Sequence, residues 1–134
     1  MRIEPYLFFE GRCEEAIEFY KKAIGVDEAR VMRYKDSPEA QPPGMSIPGD
    51  KVMHAALKIG DTTLMMSDGY AQGHPSFQGF SISLTVGSDA EAQKKFAALG
   101  DGGKVTMPLA KTFFSSSFGI LTDRFGVGWM VIVG

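Results

Sequence analysis

The sequence predicts an α+β protein built from two modules, each a strand, a helix and three further strands, whose curved mixed sheets surround a cleft. Three observations carry this expectation. The same order of elements is written twice along 134 residues; each copy opens with a short strand and one amphipathic helix ended by a glycine; and the strands that follow are short and separated by Gly/Asp turns.

The first strand is the apolar run Tyr6 to Phe9, closed by Gly11. In CEEAIEFYKKAIG, Cys13, Ala16, Ile17, Tyr20, Ala23 and Ile24 recur at helical spacing. Glu14 and Glu15 fall in the first turn, Lys21 and Lys22 near the last, and Gly25 is the stop. The strand ARVMRYK follows, then the Pro/Gly-rich loop from Asp36 to Asp50, then KVMHAALKI and TTLMMS around the turn Gly60-Asp61. The second copy begins after GYAQGHPSFQG. It reads as the strand FSISLTV, a helix over SDAEAQKKFAALG with Ser88 and Glu91 at capping-box spacing, the strand KVTMPLA, the segment KTFFSSSFGILTD and the closing strand GWMVIV. GDGG follows a helix instead of opening one, so it reads as a helix stop and turn, not a phosphate loop. The expected boundaries are module one over 1–69, a linker over 69–79 and module two over 80–134 of one domain.

Composition narrows the function classes. A formal charge of −2 with no basic run among aromatics argues against nucleic acid as a partner. No stretch approaches the roughly 18 apolar residues of a membrane span, and the N-terminus, broken by Glu4 and Glu10, does not read as a signal peptide. The lone Cys13 forms no internal disulfide and fits a cytoplasmic setting.

The segments FFEGRCEEAIEFYKKAIG, DKVMHAALKIGDTTLMMSDG, MPLAKTFF and DRFGVGWM, in this order, resemble the PhnB-like branch of the vicinal oxygen chelate superfamily, which includes glyoxalase I, extradiol dioxygenases and the fosfomycin- and bleomycin-resistance proteins. The resemblance implies a glyoxalase/bleomycin-resistance-like fold of paired βαβββ modules around a cleft, commonly as a homodimer. In many members it also implies a divalent metal held by His and Glu from four strands. Carried onto this chain, those four places fall at Pro5, Leu64, Ser81 and Met130, with Tyr6, Met65, Ser83 and Val131 as neighbours. Hard or borderline divalent ions need oxygen or imidazole ligands. The expectation is a cleft without the usual metal cage and without a cofactor.

Within that cleft, His54 alternates with Met53 and Ala55 and reads either as a general base or ligand-orienting donor, or as a structural histidine. His74, in the linker, reads as exposed. Strand parity groups Leu64, Met66 and Asp68, with Asp68 either a polar anchor at the cleft mouth or an ordinary Asp-Gly turn residue. Ser81 and Met130 are expected to line the pocket in module two. In AKTFFSSSFG, Lys111 could meet an anion and Phe113, Phe114 or Phe118 could stack on a flat ligand; the competing reading is a twisted edge strand. The loop from Asp36 to Asp50 is either a lid or a plain surface loop, and Asp123-Arg124 is a turn pair.

These readings converge on a metal-free protein that binds an unidentified small molecule. The alternative is an enzyme of the superfamily, a lyase, dioxygenase or transferase, centred on His54 with a displaced metal or metal-free acid–base chemistry, assisted by Asp68, Glu10 or Lys111. Ubiquinone methylation is a third reading, against which stands the lack of a strand, glycine-rich turn and helix for a nucleotide-type cofactor. No Arg/Lys cluster marks a phosphonate pocket.

Overall fold

In the computed structural model the described residues are 1–39, 41, 44, 46–69 and 74–134. The order is β1 (Tyr6–Phe9), α1 (Cys13–Ala23), β2 (Glu28–Arg33), a 3₁₀ turn (Tyr34–Asp36), β3 (Val52–Ile59) and β4 (Thr62–Asp68), then β5 (Ile82–Val86), α2 (Asp89–Gly100), β6 (Lys104–Ala110), β7 (Phe118–Thr122) and β8 (Gly128–Val133). The chain forms two compact units, one of Met1–Lys21 with Gly25–Pro75, the other of Lys22–Ile24 with Ser76–Gly134.

Each unit holds one mixed four-stranded sheet with the same topology, β1-β4-β3-β2 and β5-β8-β7-β6. The pairs β1/β4 and β5/β8 are parallel, and the remaining pairs are antiparallel. The helix crossover carries the chain from the first strand of each unit to its second strand on the far edge of the sheet, and two antiparallel connections then return the last strand beside the first, running parallel to it. The α+β architecture of duplicated βαβββ units is therefore as the sequence predicts.

In the first sheet Leu7 and Phe9 of β1, Ala55 and Leu57 of β3, and Leu64 and Met66 of β4 are all buried. Register places them on one face, because Leu7 pairs with Met66, Ala55 with Met66 and Leu57 with Leu64. Fully burying each large aliphatic or aromatic side chain contributes about 1.5–3 kcal/mol, so this face is the thermodynamic reason for the register. In the second sheet Leu121, Trp129 and Val131 take the same role, and α2 packs against β6, β7 and β8 through Ala92, Phe96 and Leu99.

The helix ends differ. Ser88 caps α2 locally, its Oγ accepting from the Glu91 amide, while the Glu91 carboxylate accepts from the Gly87 amide. Arg12, immediately before α1, offers no such acceptor, and the cap comes from β4: Asp68 Oδ1 accepts from the amides of Gly11 at 2.6 Å and Cys13 at 3.1 Å. At the far end of α2 the helix ends at Gly100, the expected stop, and the turn closes at Gly103. A Cβ on Gly103 would lie 2.2 Å from the Thr122 carbonyl oxygen, so only glycine fits.

Two elements differ from the sequence reading. The strand expected through Lys35 ends at Arg33 in the 3₁₀ turn. The segment 111–117 is not an edge strand but a turn: Thr112 Oγ1 accepts from the amides of Phe114 and Ser115, and Ser115 Oγ bridges Ser117 and Val133. The edge strands of that sheet are β5 and β6. The lid reading of the loop from Asp36 to Asp50 falls partly on residues 40, 42, 43 and 45, and the linker reading partly on 70–73, all outside the described residues.

Candidate functional site

The second face of the first sheet is open. Because side chains alternate, the register fixes three rows across it. One row is Arg30, Ala56, Met65 and Tyr6; beside it lie Met32, His54, Ser67 and Phe8, and on the other side Glu28, Lys58 and Thr63. Tyr6, Phe8 and Met32 keep 36%, 39% and 44% of their surface accessible, a large apolar exposure on one side of a sheet whose other side buries Leu7, Phe9, Ala55, Leu57, Leu64 and Met66.

His54 sits in this array. Its Nδ1 lies 2.9 Å from the Tyr6 hydroxyl, and the two rings stand 5.6 Å apart, with Phe8 5.0 Å from Tyr6. The bond holds the imidazole in one orientation. When the tyrosine donates to Nδ1, the neutral ring carries its proton on Nε2 and becomes a donor; when Nδ1–H donates to the phenol oxygen, Nε2 is a base. Beyond the middle row, a hollow of about 270 Å³ lies over Ala56, Thr63 and Met65. Its rim carries the ion pairs Arg2–Glu4 at 3.4 Å and Arg30–Glu28 at 2.9 Å, together with Lys58.

Leu64, Met66 and Asp68, expected to line the pocket, are not part of this face. All three are buried on the reverse side, and Met65 is the β4 methionine beside Tyr6. Asp68 is 2% exposed, and both its carboxylate oxygens accept from main-chain amides, Oδ2 from Val52 at 3.0 Å. It is the joint between β4, β3 and the start of α1. Cys13, at that joint, is fully buried; burial first, and the Asp68 carboxylate second, push its thiol pKa far up, which disfavours the thiolate needed for nucleophilic chemistry.

In the second unit, Ser83 pairs with Met130 and Met130 with Ile120, while Ser81 lies exposed before β5. Phe113, Phe114 and Phe118 are brought together edge to face, with centroids 5.1 and 5.0 Å apart. Phe113 is fully exposed and Lys111 is exposed, whereas the serines of this segment are spent on structure: the hydroxyls of Ser116 and Ser117 donate to Asp89 at 2.6 and 2.7 Å. Those two bonds lower the Asp89 pKa. Asp123 accepts from the amides of Phe125 and Val127 and from Trp129 Nε1, and Arg124 pairs with Asp101, so both belong to the turn. His74 is exposed.

The positions offered to a metal do not fit one. Pro5, Leu64, Ser81 and Met130, with their neighbours Tyr6, Met65, Ser83 and Val131, supply at most phenol, hydroxyl and thioether groups, with no carboxylate or imidazole, a poor set for a hard or borderline divalent ion. Among the described residues no three His, Cys, Asp or Glu side chains are grouped to hold an ion.

A family model, 3-demethylubiquinone-9 3-methyltransferase, matches residues 1–132. The chain belongs to this PhnB-like family. Protein YjdN of Escherichia coli (strain K12) is 34% identical to it over 140 residues, covering 99% of this chain and 95% of that one. Among solved structures, protein PA1353 from Pseudomonas aeruginosa is 44% identical with a TM-score of 0.85, covering 99% of this chain and 97% of that one. The PhnB protein from Bacillus cereus is 28% identical with a TM-score of 0.78 and full coverage of both chains, 100% each. A glyoxalase/bleomycin resistance protein from Albidiferax ferrireducens T118, at 12% identity, TM-score 0.64 and coverage of 98% and 96%, shares the fold.

The residues that sequence reasoning passed over are Phe8, Met32, Arg30 and Lys58, with Tyr6 and Met65 noted only as neighbours. A signal existed for β1, since YLFF alternates between the buried Leu7 and Phe9 and the partly exposed Tyr6 and Phe8. An all-apolar run conceals that alternation.

Proposed function

We propose that this PhnB-like protein binds a small organic molecule on the open face of its first sheet, without a resident divalent metal, as a cytoplasmic homodimer. The observation that carries the reading is the joint exposure of Tyr6, Phe8 and Met32 around an imidazole already oriented by the Tyr6 hydroxyl. An apolar floor with a few fixed polar groups is the usual composition of a small-molecule site. The homodimer part is supported by the exposed edge strand β6 and the exposed Phe113, which present apolar surface on the second unit.

The test is amide-resolved NMR with a set of flat aromatic fragments, paired with product analysis after incubation with dialysed protein. Shifts confined to Tyr6, Met32, His54 and Met65 without product support binding. Shifts elsewhere, or none, oppose it. Melting curves with excess Mn, Fe, Co, Ni and Zn test the metal part, since an ion specific to the native state raises the melting temperature.

The Tyr6–His54 bond favours a second reading, an enzyme in which His54 moves a proton to or from the bound molecule. Product formed by dialysed protein and lost in His54→Ala, with the fold intact, would select it. Methyl transfer, which the family description names, is not part of either reading. Each sheet has only one parallel strand pair, and the doubly wound parallel sheet that typically carries a nucleotide-type cofactor is not this topology.

A further inference from the structure

The hollow over Ala56 has an electrical asymmetry along β3. At the Lys58 end the rim holds Arg2, Arg30 and Lys58 against Glu4 and Glu28. Arg2 is paired with Glu4 and Arg30 with Glu28, and Glu4 is further held by accepting from the Thr63 amide at 3.1 Å. Lys58 makes no ion pair among the described residues and is exposed. The rim thus carries one uncompensated positive charge. Four residues away on the same face stands His54, a distance of about 13 Å along a strand. The stretch between them is floored by Ala56, whose small side chain leaves the space, and flanked by Met65.

We infer that the ligand of this face is a compact organic monoanion: a flat apolar body lying over Ala56 and Met65, its anionic group at Lys58, and a hydrogen-bonding oxygen directed toward His54. The inference rests on the binding reading above and specifies its substrate class. A hollow of about 270 Å³ suits one ring with a short chain, and it lies near the lower limit of about 300 Å³ for ordinary small-ligand sites. An ammonium ion recognises a carboxylate as a point charge without demanding bidentate geometry, so the anionic group is a carboxylate or a similar single-charged oxyanion.

The probes are 4-hydroxyphenylpropionate and its neutral amide, titrated into the intact protein and followed by amide NMR and calorimetry. The acid should shift residues 56, 58, 63 and 65 and bind roughly tenfold more tightly than the amide, as expected for one added charge-assisted contact. Lys58→Met, which keeps the stem of an exposed side chain, should erase that difference. In the unaltered protein, raising NaCl from about 20 to about 300 mM should weaken the acid and leave the amide unchanged. Equal, salt-independent binding of acid and amide at these residues overturns the anion inference while the binding reading stands. If neither probe shifts the open face but uncharged fragments do, the anion inference again falls alone. If nothing shifts it, both fall.

Discussion

Replacing Asp68 tests whether this carboxylate holds the fold or serves a ligand. It is 2% exposed and accepts from three amides, those of Gly11, Cys13 and Val52, at 2.6, 3.1 and 3.0 Å. Asp68→Ala leaves the Cys13 and Val52 amides buried and unsatisfied, at about 1–3 kcal/mol each. The Gly11 amide, only part-buried, recovers water and loses less. Loss of an anion at the start of α1 adds about 0.3–1 kcal/mol. The expected cost is about 3–6 kcal/mol, a large share of the roughly 5–15 kcal/mol by which domains are stable. Asp68→Asn keeps one acceptor but turns an NH₂ toward a main-chain donor, and should fall between the two. Urea unfolding followed by circular dichroism reads both, with the midpoint moving and the slope unchanged. A loss below about 1 kcal/mol for the alanine variant would refute the account, because it would mean the amides have acceptors other than the carboxylate.

Other outcomes follow from the same geometry. A Cβ on Gly119 would lie 2.7 Å from Phe96 Cε1 and 3.1 Å from Leu109, so Gly119→Ala should cost about 1–3 kcal/mol by overpacking α2 against β7, read as a lower melting temperature. Asp89 has its pKa lowered by the Ser116 and Ser117 hydroxyls, so its contribution is present above its ordinary value of 3.8 and is lost as pH falls through the lower folded value. Melts of the native protein and Asp89→Asn taken from neutral to strongly acidic pH should therefore differ at neutral pH and converge in acid. Cys13, buried and with its thiol pKa pushed up, should react with a thiol-specific disulfide reagent only at the rate of unfolding; rapid labelling of the native protein would show that the joint below α1 opens locally.

The fold was legible because both devices that specify it are written locally. CEEAIEFYKKAIG and SDAEAQKKFAALG carry a helical period, and the turns at Gly60 and after Gly100 punctuate the strands. The faces were legible only where polar and apolar residues alternate. In KVMHAALKI the alternation puts His54 opposite Ala55 and Leu57, and the structure has it on the open face. In TTLMMSD three apolar residues run together, and parity alone does not say whether Leu64 and Met66 or Met65 face the core. That choice is made by register of Leu64 against Leu57 and of Met66 against Leu7, information held 7 and 59 residues away in the sequence.

Asp68 shows why a strand-end carboxylate is the harder case. As a residue type it reads equally as a ligand anchor, a turn former or a cap, and what decides among them is the demand elsewhere in the chain. Helix α1 begins after Gly11 and Arg12, without the Ser, Thr, Asp or Asn that caps α2 at Ser88. Its first amides must find an acceptor, since a buried helix start without one is costly. A missing local cap is thus itself a signal, pointing to a distant acceptor at the end of a neighbouring strand; in this chain the parallel pairing of Phe9 with Asp68 delivers it. The carboxylate that looked most like chemistry is bound to the backbone, whereas the side chains of His54 and Lys58 on the open face make no hydrogen bond to the main chain among the described residues.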